Sequence, residues 1–379
     1  MNIIKNKTIA IIGGGPGGLT LARLLQTKGA TVKVYERDVH KEVRVQGATL
    51  DLHDDSGLKA LGEAGLMEAF KANYRPGADK MRIVDKHATI LLDEDINAGN
   101  EMSRPEIDRG PLRKLLLDSL QPGTVTWDSQ LTALERSENG WTLFFKNGAT
   151  ATAAIVIGAD GAHSKIRPLI TPIKPVYSGV TIVEGTVYDS GAAVPTVHRL
   201  LNGGKIFALG DERTLIVSSK GDGSLVFYTG CKTDESWFRD CGIDFSDKAQ
   251  VRAWFRQTFP GWDNSWLELI DQTAHFMIRP QYYMPLDQHW EALPDLTMLG
   301  DAAHLMPPYA GEGVNMAMLD ALELSAALTS EAFPDVHAAI AHYEAQMRIR
   351  ASATTAMTLL QTDSLHSADA VSNMLAMFR

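Results

Sequence analysis

The chain has 379 residues, of which 45% are hydrophobic and 22% charged, which is enough to bury a sizeable core, suggests two domains, and excludes long disordered or fibrous stretches. A formal net charge of -10, with Lys and Arg scattered along the chain, leaves no electrostatic footprint for nucleic acid. Cys231 and Cys241 have no accompanying His or Cys cluster, so neither a disulfide framework nor a metal site is expected, and a reducing cytoplasm fits best.

The opening MNIIKNKTIAIIGGG runs straight from a short apolar stretch into glycines, unlike a signal peptide, and no later stretch approaches the roughly 20 apolar residues that span a bilayer. Thr8 to Ile12 reads as a strand, Leu19 to Leu25 as part of a helix, and Thr31 to Tyr35 as a second strand, which together make a βαβ unit. Alternating runs from Asp79 to Asp93 and from Tyr177 to Cys231 predict antiparallel strands. Between them, Pro111 to Leu120 predicts an amphipathic helix opened by proline, and Ala153 to Ile157 a buried strand that resumes the α/β part. Val336 to about Gln361 carries helical spacing without proline or glycine and predicts one long helix, followed by a Met-rich tail.

The loop Gly13-Gly14-Gly15-Pro16-Gly17-Gly18 fits G-x-G-x-x-G. Gly13 makes the tight turn, Gly15 lets backbone approach a pyrophosphate, Gly18 permits close helix packing, and the helix amino end faces the phosphates. Glu36, at the end of the second strand, can accept hydrogen bonds from both hydroxyls of an adenosine ribose, as NAD or FAD requires. The dinucleotide is distinguished by two later segments, GADGAHSKIR from Gly158 and GDAAHLMPPYAGEGVN from Gly300.

In this order, the three segments resemble the single-component FAD monooxygenases of the para-hydroxybenzoate hydroxylase fold, over about Lys7 to Met347. The stretch RVQGATLDLH from Arg44 to His53 makes the tetracycline-inactivating flavin monooxygenases the nearest resemblance. The resemblance implies an α/β fold in which a Rossmann-like FAD-binding domain (1–73, 103–170 and 271–330) is interleaved with an antiparallel-sheet substrate domain (74–102 and 171–270). A carboxyl-terminal helix and tail (331–379) follow.

It further implies FAD contacts from Gly13, Gly15, Pro16, Gly17, Gly18, Glu36, Arg37, Arg44, Gly47, Asp51, Arg113, Asp160, Asp301, Pro308, Gly311, Gly313, Val314 and Asn315. Asp301 falls on the ribityl chain, Arg113 on the pyrophosphate, and the loop from Pro308 to Asn315 on the isoalloxazine, where a helix starting near Gly313 would aim its positive end at the reduced ring. In the family Asp160 and Arg167 form a pair, which the residues alone also allow as a plain ion pair. His53 and His304 stand in the sequence without paired carboxylates and are expected to be structural.

The chemistry implied is that of the flavin. NADPH or NADH reduces it transiently, O2 adds, and a C4a-hydroperoxide delivers one oxygen atom to an aromatic or polycyclic small molecule. On the antiparallel sheet Glu184, Lys205, Ile216 and Val226 stand where the tetracycline-inactivating relatives offer glutamine, arginine, phenylalanine and histidine, so tetracycline is a candidate substrate with an altered pocket. Phe207, Phe227, Tyr228 and Tyr309 can stack on a planar substrate or pack a core; Tyr228 and Tyr309 are carried forward as substrate residues. The alternatives are a flavin epoxidase or Baeyer-Villiger enzyme, a non-catalytic flavin-binding redox module, and a plain NAD-dependent dehydrogenase. The last leaves the segment from Gly300 to Asn315 without an account. No membrane partner is expected, and a monomer is the default that the nearest relatives imply.

Overall fold

The computed structural model describes residues 3–43, 49–94 and 104–378. Thr8–Ile12 lies at the centre of a five-stranded parallel sheet, between Ile155–Gly158 and Thr31–Tyr35, with Leu296–Met298 and Val125–Thr126 outermost. Four of its five residues are buried, as a central strand covered on both faces requires. Helix Pro16–Thr27 follows with proline in its first turn, and helix Gly313–Thr329 packs beside it. This α/β half is the expected one.

A seven-stranded sheet forms the second half, in the order Phe276–Tyr283, Val176–Val187, Leu225–Lys232, Arg213–Ser219, Lys205–Gly210, Met81–Asp85 and Ile90–Glu94. All of its pairings are antiparallel except that between Lys205–Gly210 and Met81–Asp85. The edge strand Phe276–Tyr283 comes from a stretch that the sequence division gives to the FAD-binding part. One sheet face packs on Val183, Val217, Phe227 and the aromatic residues of helix Lys248–Thr258. The other faces the parallel sheet's loops and the carboxyl terminus.

Several elements depart from the sequence reading. The helix expected to open at Pro111 starts at Arg109, leaving Pro111 inside the first turn, where its missing N–H costs nothing. Two short helices, Ser190–Ala193 and Pro195–Leu201, interrupt the run expected to be strands. The long helix runs Val336–Leu365, one turn further than expected, and starts where the Asp335 side chain accepts the Ala338 amide at 2.8 Å. The Met-rich tail forms helix Ala370–Ala376, which packs on strands Met81–Asp85 and Lys205–Gly210 through residues including Met374. Among the described residues no helix is long and apolar enough to cross a membrane.

Candidate active site

Gly13 turns with φ +111°, and a Cβ there would lie 2.2 Å from the Ala159 carbonyl oxygen; at Gly18 a Cβ would lie 2.2 Å from the Gly13 carbonyl oxygen. Both positions are closed to any side chain. Gly15 differs, because a Cβ there would meet nothing within 4 Å. It caps helix Pro16–Thr27 without any side-chain cap bond, so the first-turn amides stand beside open space. Such a space can accept a phosphate, and a side chain would fill it. The Glu36 carboxylate accepts the Gly14 amide at 2.6 Å and the Asp38 amide at 3.0 Å, which holds it at the end of its strand. Arg37 is exposed beside it.

Arg113 is buried rather than exposed. It donates to Asp38 at 3.0 Å and to the Lys41 carbonyl at 3.1 Å, so its position is set by an acid that sequence reading did not single out. Arg167 donates to the carbonyls of Ala302, Asp301 and Ala162 at 2.7, 2.8 and 3.2 Å. The pair expected with Asp160 is therefore not a direct ion pair: Asp160 accepts the Lys165 amide at 2.6 Å and acts on Arg167 only through space. The other Asp160 carboxylate oxygen is buried without a partner next to the Gly13 turn, an orphan acceptor.

The segment from Gly300 bends at φ +60°, exposes Asp301, and is anchored by Asp320 from helix Gly313–Thr329. Asp320 accepts the Gly300 amide at 2.9 Å, His304 Nε2, and Arg350 at 2.7 Å. Burial pushes the Asp320 carboxyl up, but His304 and Arg350 outweigh it and hold the group below its ordinary range. Burial likewise pulls His304 down, and Asp320 more than offsets this, so its pKa is raised and the charged imidazole is favoured. The expectation that His304 lacks a carboxylate is thereby overturned.

The same correction applies to His53. Its Nε2 lies 3.1 Å from Asp51 and 2.9 Å from Arg104, and its Nδ1 3.7 Å from Glu312. Arg104 and Glu312 come from separate segments and were not announced by local spacing, whereas Asp51 stands only two residues before His53. Burial raises the Asp51 carboxyl, but the His53 hydrogen bond, Lys205 and Arg104 bring it to about 2. Asn315 stitches two loops together: its side chain accepts the His53 amide at 3.0 Å and donates to the Asp51 carbonyl at 2.9 Å. Gly311, at φ +72°, brings backbone to the Asp51 carboxylate. Pro308 is exposed, and Gly313 and Val314 are half-buried at the uncapped start of the helix. Arg44 and Gly47 lie outside the described residues.

Across the large sheet, register aligns Leu92, Ile83, Phe207, Ile216, Tyr228, Glu184 and Met277 in one cross-strand row. Lys205, Ser218 and Val226 form the next row on that face. Five of the six anticipated substrate residues thus share one surface. Phe207, Ile216 and Tyr228 are half-buried, whereas Phe227 points to the opposite face and is pure core. The row is flanked by ion pairs, Glu184 with Arg279 and Lys205 with Glu106. Burial pulls the Lys205 ammonium down, but Glu106 and Asp51 outweigh it and raise its pKa. The sixth residue, Tyr309, is buried, with its hydroxyl beside Thr214 and His366. Arg279, Glu106 and Asp320 were all missed. Only Asp320 left a signal, as an acid in the apolar run GVNMAMLDALEL.

The model of the FAD-binding domain matches residues 6–247 and 289–358. The chain belongs to this family of single-component flavin monooxygenases. It is accordingly an FAD-dependent monooxygenase. The chain is 30% identical over 344 residues to 3-amino-4-hydroxybenzoate 2-monooxygenase PtnB3 of Streptomyces platensis, covering 89% of this chain and 83% of that one. The structure of Klebsiella pneumoniae HpxO with FAD and uric acid superposes with a TM-score of 0.78 at 22% identity, over 99% of this chain and 92% of HpxO. Tetracycline destructase Tet(51) superposes at 0.74 with 20% identity, over 100% of this chain and 95% of the destructase. At such identities the two structures speak for the fold. Among the described residues both cysteines are free.

Proposed function

We propose that this flavin monooxygenase is an NAD(P)H-consuming hydroxylase of an aromatic or polycyclic small molecule, with NADPH the preferred reductant and O2 the co-substrate. The observation that carries this reading is the half-buried apolar row Phe207, Ile216 and Tyr228, set between two ion pairs on the sheet face that looks toward the Pro308–Asn315 loop. Such a row suits a flat ring system whose polar substituents meet the charged flanks.

In this reading, the Gly15 cradle takes the pyrophosphate, Glu36 the adenosine ribose and Asp301 the ribityl chain, and the uncapped helix at Gly313 offers the positive end of its dipole to an anionic ring edge. A bound FAD supplies the redox chemistry, accepting a hydride from NAD(P)H and activating O2. The chain's own residues orient the ring over Ile216 and exclude water with the carboxyl-terminal helices. They meet polar substituents of the substrate with the Glu184–Arg279 and Lys205–Glu106 pairs. The domain division by chain segments given above is part of the same proposal, with Phe276–Tyr283 joined to the substrate sheet.

NADPH oxidation by the FAD-loaded protein is to be followed with 3-amino-4-hydroxybenzoate, 6-hydroxynicotinate, urate and tetracycline in turn. The reading expects at least one of them to stimulate oxidation and to gain one oxygen atom. Oxidation that none of them stimulates, yielding hydrogen peroxide alone, would overturn it.

A further inference from the structure

His366 follows the last residue of the long helix Val336–Leu365, beyond residue 358 where the match to the family model ends. Its side chain is fully buried. Nδ1 lies 2.8 Å from the Thr362 carbonyl, an acceptor only, so that nitrogen carries the proton. Nε2 is left as an acceptor. It faces two hydroxyls, Tyr309 Oη at 3.3 Å and Thr214 Oγ1 at 3.4 Å, and the Tyr309 and His366 rings meet edge to face with centroids 5.0 Å apart. Burial pushes the imidazole pKa down, which keeps the ring neutral and Nε2 able to accept.

The cluster sits on the large sheet at Gly230, where a Cβ would come within 2.4 Å of both hydroxyl oxygens and 2.6 Å of His366 Nε2. The space is therefore fitted to these three side chains. Tyr309 belongs to the turn Pro308–Ala310 and is followed by Gly311, which approaches Asp51, and then by the start of helix Gly313–Thr329. Anything that fixes the Tyr309 hydroxyl fixes the position of that loop relative to the sheet.

We infer that His366 is a positioning residue of this enzyme: it accepts a hydrogen bond from Tyr309 and thereby clamps the Pro308–Asn315 loop from the carboxyl-terminal helix pair. The inference rests on the reading of that loop as the flavin loop. It makes Tyr309 a peg that holds the loop, and it makes the carboxyl terminus part of the cofactor apparatus.

The test is the FAD dissociation constant, from fluorescence titration of apoprotein, for the wild type, Tyr309→Phe, His366→Leu, the double variant and His366→Gln. One hydrogen bond predicts about three- to tenfold weaker binding in each of Tyr309→Phe and His366→Leu. The double variant should bind no worse than the weaker single one, because both lose the same bond. His366→Gln keeps an acceptor near Nε2 and should bind as the wild type does. Wild-type affinity in Tyr309→Phe, which lacks only one oxygen atom and keeps the fold, would overturn the inference, as would effects that multiply in the double variant. Failure of the wild type itself to bind FAD would instead overturn the cofactor reading.

Discussion

The two halves of the molecule build their sites by different means. At the carboxyl ends of the parallel strands, the site is backbone: Gly13, Gly15 and Gly311 leave amides and space where side chains would intrude. On the large sheet, the site is side chain: Phe207, Ile216, Tyr228 and Glu184 come from four strands and meet only through register. A backbone site is encoded in consecutive residues and resists substitution. A register-built face can change any one residue while keeping the sheet, so the same scaffold can serve different substrates.

Substitutions on the two sides should therefore fail differently. The largest effect is expected at the joint between sheet loop and helix. Asp320→Ala removes the buried acid that holds His304 and the Gly300 amide and leaves Arg350 with Glu323 alone, and denaturant unfolding of the apoprotein should report a loss of about 3 to 5 kcal/mol. A loss near zero would mean that the network contributes nothing. Next, Gly15→Val enters open space, so the apoprotein should unfold at the wild-type midpoint while FAD affinity drops tenfold or more, at least about 1.4 kcal/mol. Unchanged affinity would remove the phosphate from that cradle.

On the sheet face the pattern should invert. Ile216→Ala trims a half-buried side chain and should raise KM for the organic substrate about tenfold, leaving FAD affinity intact. A parallel fall in FAD affinity would erase the distinction between the halves. The smallest change is read along the pH axis. Because the folded His304 pKa is raised, its stabilisation is complete below about pH 6.5 and is lost as pH rises through the folded value. Because the folded Asp320 pKa is lowered, its stabilisation is present above about pH 4 and is lost as pH falls through the folded value. Melting temperature should therefore plateau between these limits, and Asp320→Asn should flatten both flanks. Flanks that persist in Asp320→Asn would assign them to other groups.

The same contrast explains what could be read from the sequence. Thr8–Ile12, the glycine loop and Thr31–Tyr35 are local patterns, and the structure has them where the spacing put them; the helix start at Gly313 stands where the resemblance implied it. The row on the large sheet was legible only in part, because the resemblance supplied Glu184, Lys205, Ile216 and Val226 while Arg279 and Glu106 reach it from distant segments. His53 has one carboxylate partner, Asp51, within its own stretch, while Arg104 and Glu312 are far away in sequence and could not be read from it. His366 carried no signal at all, since the hydroxyls its Nε2 faces lie 57 and 152 residues away.

On the proposed reading, the glycine-built side holds FAD while the sheet face chooses the substrate. The most direct measurement is gel filtration of the apoprotein after incubation with FAD, with flavin absorbance read against protein in the eluted peak. One flavin per chain is expected in the wild type and in Ile216→Ala, and loss of flavin in Gly15→Val. Wild-type protein that elutes without flavin would contradict that reading.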